Sequence, residues 1–237
     1  MLIIISGCDR TGKSTIAQQL ADKLNAVYTH FSYPSSKEEA KQEYYNFIET
    51  ISLNKMYICD RFYEGEYVYA PIYRDYQLDY SHEIERKIKD TTSALFIYVR
   101  ADLHVIQDRI KSCGEDYVKD EDIIRVINNY DLFINQLMLP YIILDNNTLD
   151  DLSNNICISL DAIKTMDFIY KEHILNKLPL PFGNLQAKSF ISHIYNKDFS
   201  EDIVNINNYT DFWFTQDKVV EKEIALINPQ EVLPYGL

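Results

Sequence analysis

The stretch Leu2-Ile-Ile-Ile-Ser-Gly7-Cys-Asp-Arg-Thr-Gly12-Lys-Ser-Thr15, continuing as IAQQLADKL to Leu24, decides the fold. An apolar run rich in β-branched residues predicts a strand buried on both faces. The spacing Ile16, Leu20 and Leu24, with Ala17 and Ala21 beside it, predicts an amphipathic helix. Between them, Gly7 to Ser14 satisfies G-x-x-x-x-G-K-[ST], a phosphate-cradling loop. Glycines at both ends let the backbone curl until successive N–H groups point inward at phosphate oxygens. The following helix adds its N-terminal donors and partial positive charge. Lys13 supplies a mobile cation for the β- and γ-phosphates, and the Ser14 hydroxyl suits Mg²⁺. The segment is read as a nucleoside triphosphate site, with Gly7, Thr11, Gly12, Lys13, Ser14 and Thr15 as its ATP-binding residues.

The rest of the chain bounds what can surround that site. Its 237 residues suit one generous α/β domain, or one domain with a small appendage. A net charge of −13 argues against a nucleic-acid polymer as partner, because a phosphate backbone calls for a basic surface. A mononucleotide pocket is compatible with an acidic exterior. Cys8, Cys59, Cys113 and Cys157 form no C-x-x-C pair and read as reduced thiols, and the five histidines show no metal-ligand spacing. No apolar run reaches the roughly 18 residues of a membrane span, and no leader precedes the first strand. The expectation is a soluble, cytoplasmic protein with no membrane partner.

Strands and helices then alternate. Ala26–His30 reads as a second strand, closed by Pro34, and Ser35 or Ser36 caps a helix to about Ile51. Lys55–Cys59 is a third strand that delivers Asp60 and Arg61 at its C-terminal end, the edge where open α/β sheets bind ligands. Asp60 there can hold the metal shell opposite Lys13, and Arg61 offers a planar fork of donors to the same crevice. The next segment, FYEGEYVYAPIYRDYQLDY from Phe62 to Tyr80, is dense in tyrosine and carries Glu64, Glu66 and Arg74. Aromatic faces can sandwich a base while Glu and Arg read its edge, so the segment is the acceptor-pocket candidate. For most of its tyrosines, packing of a helix on the sheet is the better reading.

Ser81–Asp90 reads as a polar helix, Ala94–Val99 as a buried strand, and Asp102 as the cap of a helix to about Lys111. A polar loop over 112–118 and a helix from about Asp120 to Leu139 suit a lid over phosphates. Tyr141–Leu144 is a fifth strand. Thr148 caps a last helix, Leu149 to about Lys164. The alternation predicts an α/β three-layer sandwich, a five-stranded, mainly parallel sheet with helices on both faces. Residues 1–164 are expected to form the nucleotide-binding core and 165–237 a C-terminal extension. That extension holds the breaker run Leu178–Gly183 and the short segments Asp211–Phe214 and Glu223–Ile227.

Several of these segments together resemble the thymidylate kinases and the related deoxynucleoside kinases among P-loop NTPases, including phage-encoded members. The loop G-C-D-R-T-G-K-S-T resembles their G-x-D-R-x-G-K-S-T. Phe31-Ser-Tyr-Pro34 is similar to the F-P segment after their second strand, and Asp60-Arg61-Phe62 to their D-R-Y. Leu144-Asp-Asn-Asn147 resembles the loop that approaches adenine, and Arg109 falls where their lid begins.

The resemblance implies a homodimeric kinase using ATP and Mg²⁺ on a deoxynucleoside monophosphate, dTMP or a related pyrimidine nucleotide. It implies Lys13, Arg10, Asp60 and Arg109 as catalytic residues, Asn146 at adenine, and Ser14 with Asp60 at Mg²⁺. Arg10 would bridge the donor and acceptor phosphates, and Arg61 would clamp the acceptor's 5′-phosphate. Asp9 would face its sugar, Arg74 its base edge, with Phe31 and Tyr67 as packing surfaces. Two alternatives stay open: a deoxynucleoside kinase with Asp60 as base on a 5′-hydroxyl, and a non-catalytic nucleotide-binding regulator or assembly protein.

Overall fold

A computed structural model describes residues 1–171 apart from 33, 35 and 114–117. The breaker run 178–183 and the segments 211–214 and 223–227 lie outside the described residues, as do Tyr33, Ser35, Glu115 and Asp116.

Five strands form one sheet, all of its pairings parallel. They are β1 (Leu2–Ser6), β2 (Val27–His30), β3 (Tyr57–Asp60), β4 (Ala94–Arg100) and β5 (Tyr141–Asp145), in spatial order β2-β3-β1-β4-β5. The helices are α1 (Lys13–Leu24), α2 (Lys37–Glu49), α3 (Glu64–Tyr73), α4 (Ser81–Thr91), α5 (Leu103–Cys113), α6 (Ile123–Gln136) and α7 (Leu149–Ile169).

The central strand explains its own sequence. Leu2 and Ile4 join the core on one face with residues of α2, α3, α4 and α6, while Ile3 and Ile5 join the core on the other with α1 and α7. With helices on both faces no position of β1 meets water, so the strand is apolar throughout instead of alternating. The expected α/β three-layer sandwich is what the chain adopts.

Local signals set the helix ends. The Ser36 hydroxyl accepts the Glu39 N–H at 3.1 Å and starts α2. Thr148 and Asp151 form a reciprocal capping box at α7, with bonds of 3.1 and 2.9 Å. Two elements differ from expectation. The helix expected from Asp120 begins as a short 3₁₀ turn over Asp120–Asp122 and ends at Gln136, because the Met138 N–H goes to Glu85 at 2.9 Å and Pro140 follows. The last helix runs to Ile169 rather than Lys164, with Met166 still buried in the core.

α6 is also no free-standing lid. Val126, Tyr130, Phe133 and Ile134 are buried, and the helix packs on α3. Tyr130 stacks on Tyr98 of β4 at 5.3 Å between ring centroids, and its hydroxyl meets Ser6 at 3.0 Å. The sequence reading took this helix as part of a lid, and burial of its aromatic stripe places it in the core instead. Among the described residues no helix is long and apolar enough to cross a membrane.

Candidate functional site

The C-terminal ends of β1 and β3 lie side by side, with Ile5 opposite Asp60 in register, so the loop after β1 and the Asp60-Arg61 pair after β3 share one crevice. The loop is built from backbone. Gly12 sits at φ 89°, a left-handed conformation that side chains strain to adopt. A Cβ there would come within 2.5 Å of Asn146 Nδ2. That amide donates to the Thr11 carbonyl at 2.7 Å, tying the loop to the end of β5. The Thr11 hydroxyl and N–H both turn back to the Cys8 carbonyl, at 2.9 and 3.4 Å. Arg10 occupies the left-handed region at φ 66°. Ser14 lies in the first turn of α1, half-buried, with Thr15 exposed beside it.

Asp9 gathers the charges. It is only 2% exposed, and its Oδ1 is in ion-pair contact with Lys13 Nζ at 3.2 Å and with the Arg61 guanidinium. Its Oδ2 accepts the Val118 N–H at 3.3 Å. Burial alone would raise its pKa, but Lys13 and Arg61 outweigh burial and hold the carboxyl below its ordinary value. Burial lowers the Lys13 pKa, with Arg61 adding to the effect and Asp9 and Asp60 opposing it. Arg61, also in the left-handed region at φ 66°, lays its guanidinium over the Tyr69 ring at 5.3 Å. The Cys8 thiol, pushed up to about 12 chiefly by burial, is an inert packing group.

Asp60 is fully buried at the strand end. Its Oδ2 accepts the Tyr28 hydroxyl at 3.0 Å and faces His30 Nδ1 at 3.2 Å, while Oδ1 has no hydrogen-bond partner among the described residues. A buried carboxylate oxygen in that condition fits a hard cation, which prefers oxygen ligands. No group of three or more His, Cys, Asp or Glu that could hold a metal occurs among the described residues. A Mg²⁺ that arrives on nucleotide phosphates needs only one or two protein oxygens, and the Asp60 Oδ1 fits that requirement.

Arg109 was expected as a catalytic residue where a lid begins. Its guanidinium donates to the carbonyls of Arg10, Asn146 and Asn147 at 2.9, 3.0 and 3.2 Å. These bonds tie the phosphate loop to the loop after β5. Asn146, buried and bonded to Thr11, shares that tie and lies where the adenine-side loop was expected.

The acceptor candidates divide. Phe31 is buried in an aromatic cluster, 4.9 Å from Phe62, 5.1 Å from Phe47 and 5.7 Å from Tyr44 between ring centroids. Tyr67 is half-buried on α3 against Phe133, at 5.3 Å. Both act as packing residues in this conformation. Arg74 is held by Glu66 at 2.8 Å, and Glu66 also accepts the Tyr76 hydroxyl. Glu64 is fully buried and accepts the Phe62 N–H at 3.0 Å. Burial pushes Glu64 and Glu66 each up to about 7, with Arg74 opposing the rise at Glu66.

Sequence reading missed Tyr28, His30 and Val118. The first two become visible only once the sheet is assembled, where His30 lies directly opposite Asp60 in the parallel register. Val118 carried no signal, because its role depends on a long-range approach of its backbone N–H.

A parallel sheet of order 2-3-1-4-5, with a phosphate loop after its central strand, is the fold of the P-loop kinases. The SPbeta prophage-derived protein YorR of Bacillus subtilis is 29% identical over 132 residues, spanning 54% of this chain and 79% of YorR. The crystal structure of Bacillus subtilis YorR in complex with phosphorylated GDP superposes with a TM-score of 0.57 at 26% identity, covering 70% of this chain and 98% of that one. A protein assigned as polyphosphate kinase 2 from Pseudomonas aeruginosa shares the fold, with a TM-score of 0.52 at 17% identity over 72% of this chain and 42% of its own. No protein-family model matches the chain.

Proposed function

We propose that this chain is an ATP- and Mg²⁺-dependent kinase of deoxynucleoside monophosphates, with dTMP or a related pyrimidine nucleotide as acceptor. One observation carries the reading: Lys13 and Arg61, from loops after two adjacent strands, meet at a single oxygen of Asp9. Cations from the donor-side and acceptor-side loops thus converge on one point, which is what in-line transfer between two phosphates requires.

In this reading Lys13 and the loop amides hold the β- and γ-phosphates, and Arg61 clamps the acceptor's 5′-phosphate. Arg10 neutralises charge on the transferring group. Ser14 and Asp60 would hold Mg²⁺, which offsets phosphate charge when bound. Arg74, steadied by Glu66 and Tyr76, reads the base edge. Arg109 and Asn146 keep the loops in register, with Asn146 near the donor base. Catalysis comes from positioning and charge stabilisation, without a covalent enzyme intermediate.

A second reading has a specific support. Asp60 keeps one buried oxygen without a hydrogen-bond partner among the described residues, which suits a base on a 5′-hydroxyl as well as it suits a metal. That would make the chain a deoxynucleoside kinase. The YorR complex with phosphorylated GDP adds guanine nucleotides to the acceptors and donors worth testing.

The test is ADP release with ATP and Mg²⁺ across nucleosides and 5′-monophosphates of every base. Turnover on monophosphates and none on nucleosides is the expected result. Turnover on nucleosides alone selects the second reading. Nucleotide binding with no acceptor-stimulated release overturns both and favours a regulator or assembly protein. Sedimentation of the same sample checks the homodimer.

A further inference from the structure

The crevice already contains an anion of its own. Lys13 and Arg61 both approach Oδ1 of Asp9, and Oδ2 accepts the N–H of Val118, which lies beyond α5. The Asp9 side chain is 3% exposed, and those of Lys13 and Arg61 are 7% and 11% exposed. Water therefore does little to screen the cluster, and each of its charges depends on the others.

We propose that Asp9 is a resident counter-anion that holds Lys13 and Arg61 together until phosphate arrives and then yields them, linking donor binding, acceptor binding and the position of Val118. The inference rests on the kinase reading for the identity of the two substrates, though not for the handover itself.

A phosphate group at Lys13 competes with Asp9 for the ammonium. The first phosphate to bind must disrupt a buried, mutually paired cluster, and that disruption is subtracted from its affinity. The second then meets a cluster already loosened, so its binding is tighter by the same factor. Val118 gives the exchange a mechanical readout. A carboxylate that turns to follow Arg61, or that is displaced by phosphate, no longer accepts that N–H. Val118, two residues ahead of the 3₁₀ turn over Asp120–Asp122, then changes its tether at the moment phosphate enters. Asp9 is in this sense a positioning residue: it acts on the reaction through Lys13 and Arg61.

Inorganic pyrophosphate with Mg²⁺ is the probe, because it occupies a phosphate loop whether or not the acceptor is known. Calorimetric titration of the full chain should show Asp9→Asn binding pyrophosphate about tenfold more tightly than the natural chain, within the range usual for coupled sites. In the natural chain, pyrophosphate should speed hydrogen exchange of the Val118 amide at least several-fold, and this second measurement does not depend on the variant folding. Equal or weaker pyrophosphate binding by a folded Asp9→Asn, or a Val118 amide that does not respond to pyrophosphate, overturns the proposal. Neither measurement uses turnover. A protein that fails every acceptor assay can still show the handover, and an active kinase can still lack it.

Discussion

The phosphate loop and α3 stand on the same edge of the sheet and obey different rules. The loop after β1 is shaped by backbone. Gly12 at φ 89°, the Thr11 bonds to Cys8 and the Asn146 tie fix its course before any ligand arrives. α3 and the residues flanking it are shaped by side chains, and those side chains satisfy one another: Glu66 with Arg74 and Tyr76, Tyr63 with Glu85, Tyr67 against Phe133. A site written in backbone is preformed and can be recognised from eight residues. A site written in side chains satisfies itself through contacts between distant residues, so its specificity cannot be read from spacing in the sequence.

The largest effect should come from the backbone-built half. Lys13→Ala should lower kcat on the order of a thousandfold, as losing a preorganised charge does, while the fold persists. A loss below tenfold in the ADP-release assay would break the comparison, since the loop would then be scaffolding alone. Gly12→Ala should follow. Its Cβ would press on Asn146 at 2.5 Å in a left-handed conformation. A destabilisation of about 1–3 kcal/mol is expected, together with a raised KM for ATP. Urea unfolding and ATP saturation curves measure the two separately.

The side-chain-built half should declare itself through pH. Glu85 is 1% exposed and accepts the Tyr63 hydroxyl and the Met138 N–H, both at 2.9 Å. Burial pushes it up to about 7, as it does Glu64 and Glu66. A carboxyl whose folded pKa lies above its unfolded value gives its full stability below the unfolded value, and loses it as pH rises through 7. The linkage relation sets the loss at about 3 kcal/mol for one fully buried group. The urea midpoint should therefore fall between pH 5 and pH 8. Glu85→Gln, which mimics the protonated acid by donating to Tyr63 and accepting from Met138, should flatten that slope. A midpoint that rises over the same interval would contradict the burial argument.

The smallest effect is expected at the rim. Arg100 and Asp145 pair at 3.0 Å across β4 and β5, but both side chains are largely solvated. Arg100→Ala should change stability by less than about 1 kcal/mol, and less still in high salt.

How much of this was legible follows the same division. The sheet was legible because β1, β3 and β4 are buried on both faces and had to be apolar throughout. The phosphate loop, Asp60 and Arg61 were legible because strand ends and glycines set their geometry. The partners of Arg109 were not legible: an arginine late in α5 could face phosphates or carbonyls, and only the assembled fold brings the carbonyls of Arg10, Asn146 and Asn147 to it. Phe31 and Tyr67 were singled out as packing surfaces for the base, yet aromatic residues near a crevice are also good core: Phe31 is buried in an aromatic cluster and Tyr67 half-buried against Phe133. The His30–Asp60 contact was hidden for another reason. It joins two strands whose order in space follows only from the assembled sheet.

The close fit between Gly12 and the Asn146 amide bears on any attempt to transplant this nucleotide site. A segment cut from Gly7 to Thr15 and grafted onto another sheet would leave behind the residue that occupies the space above its glycine and steadies its Thr11 carbonyl. The portable unit is thus discontinuous: the loop travels with the turn after the fifth strand, or it arrives without its shape.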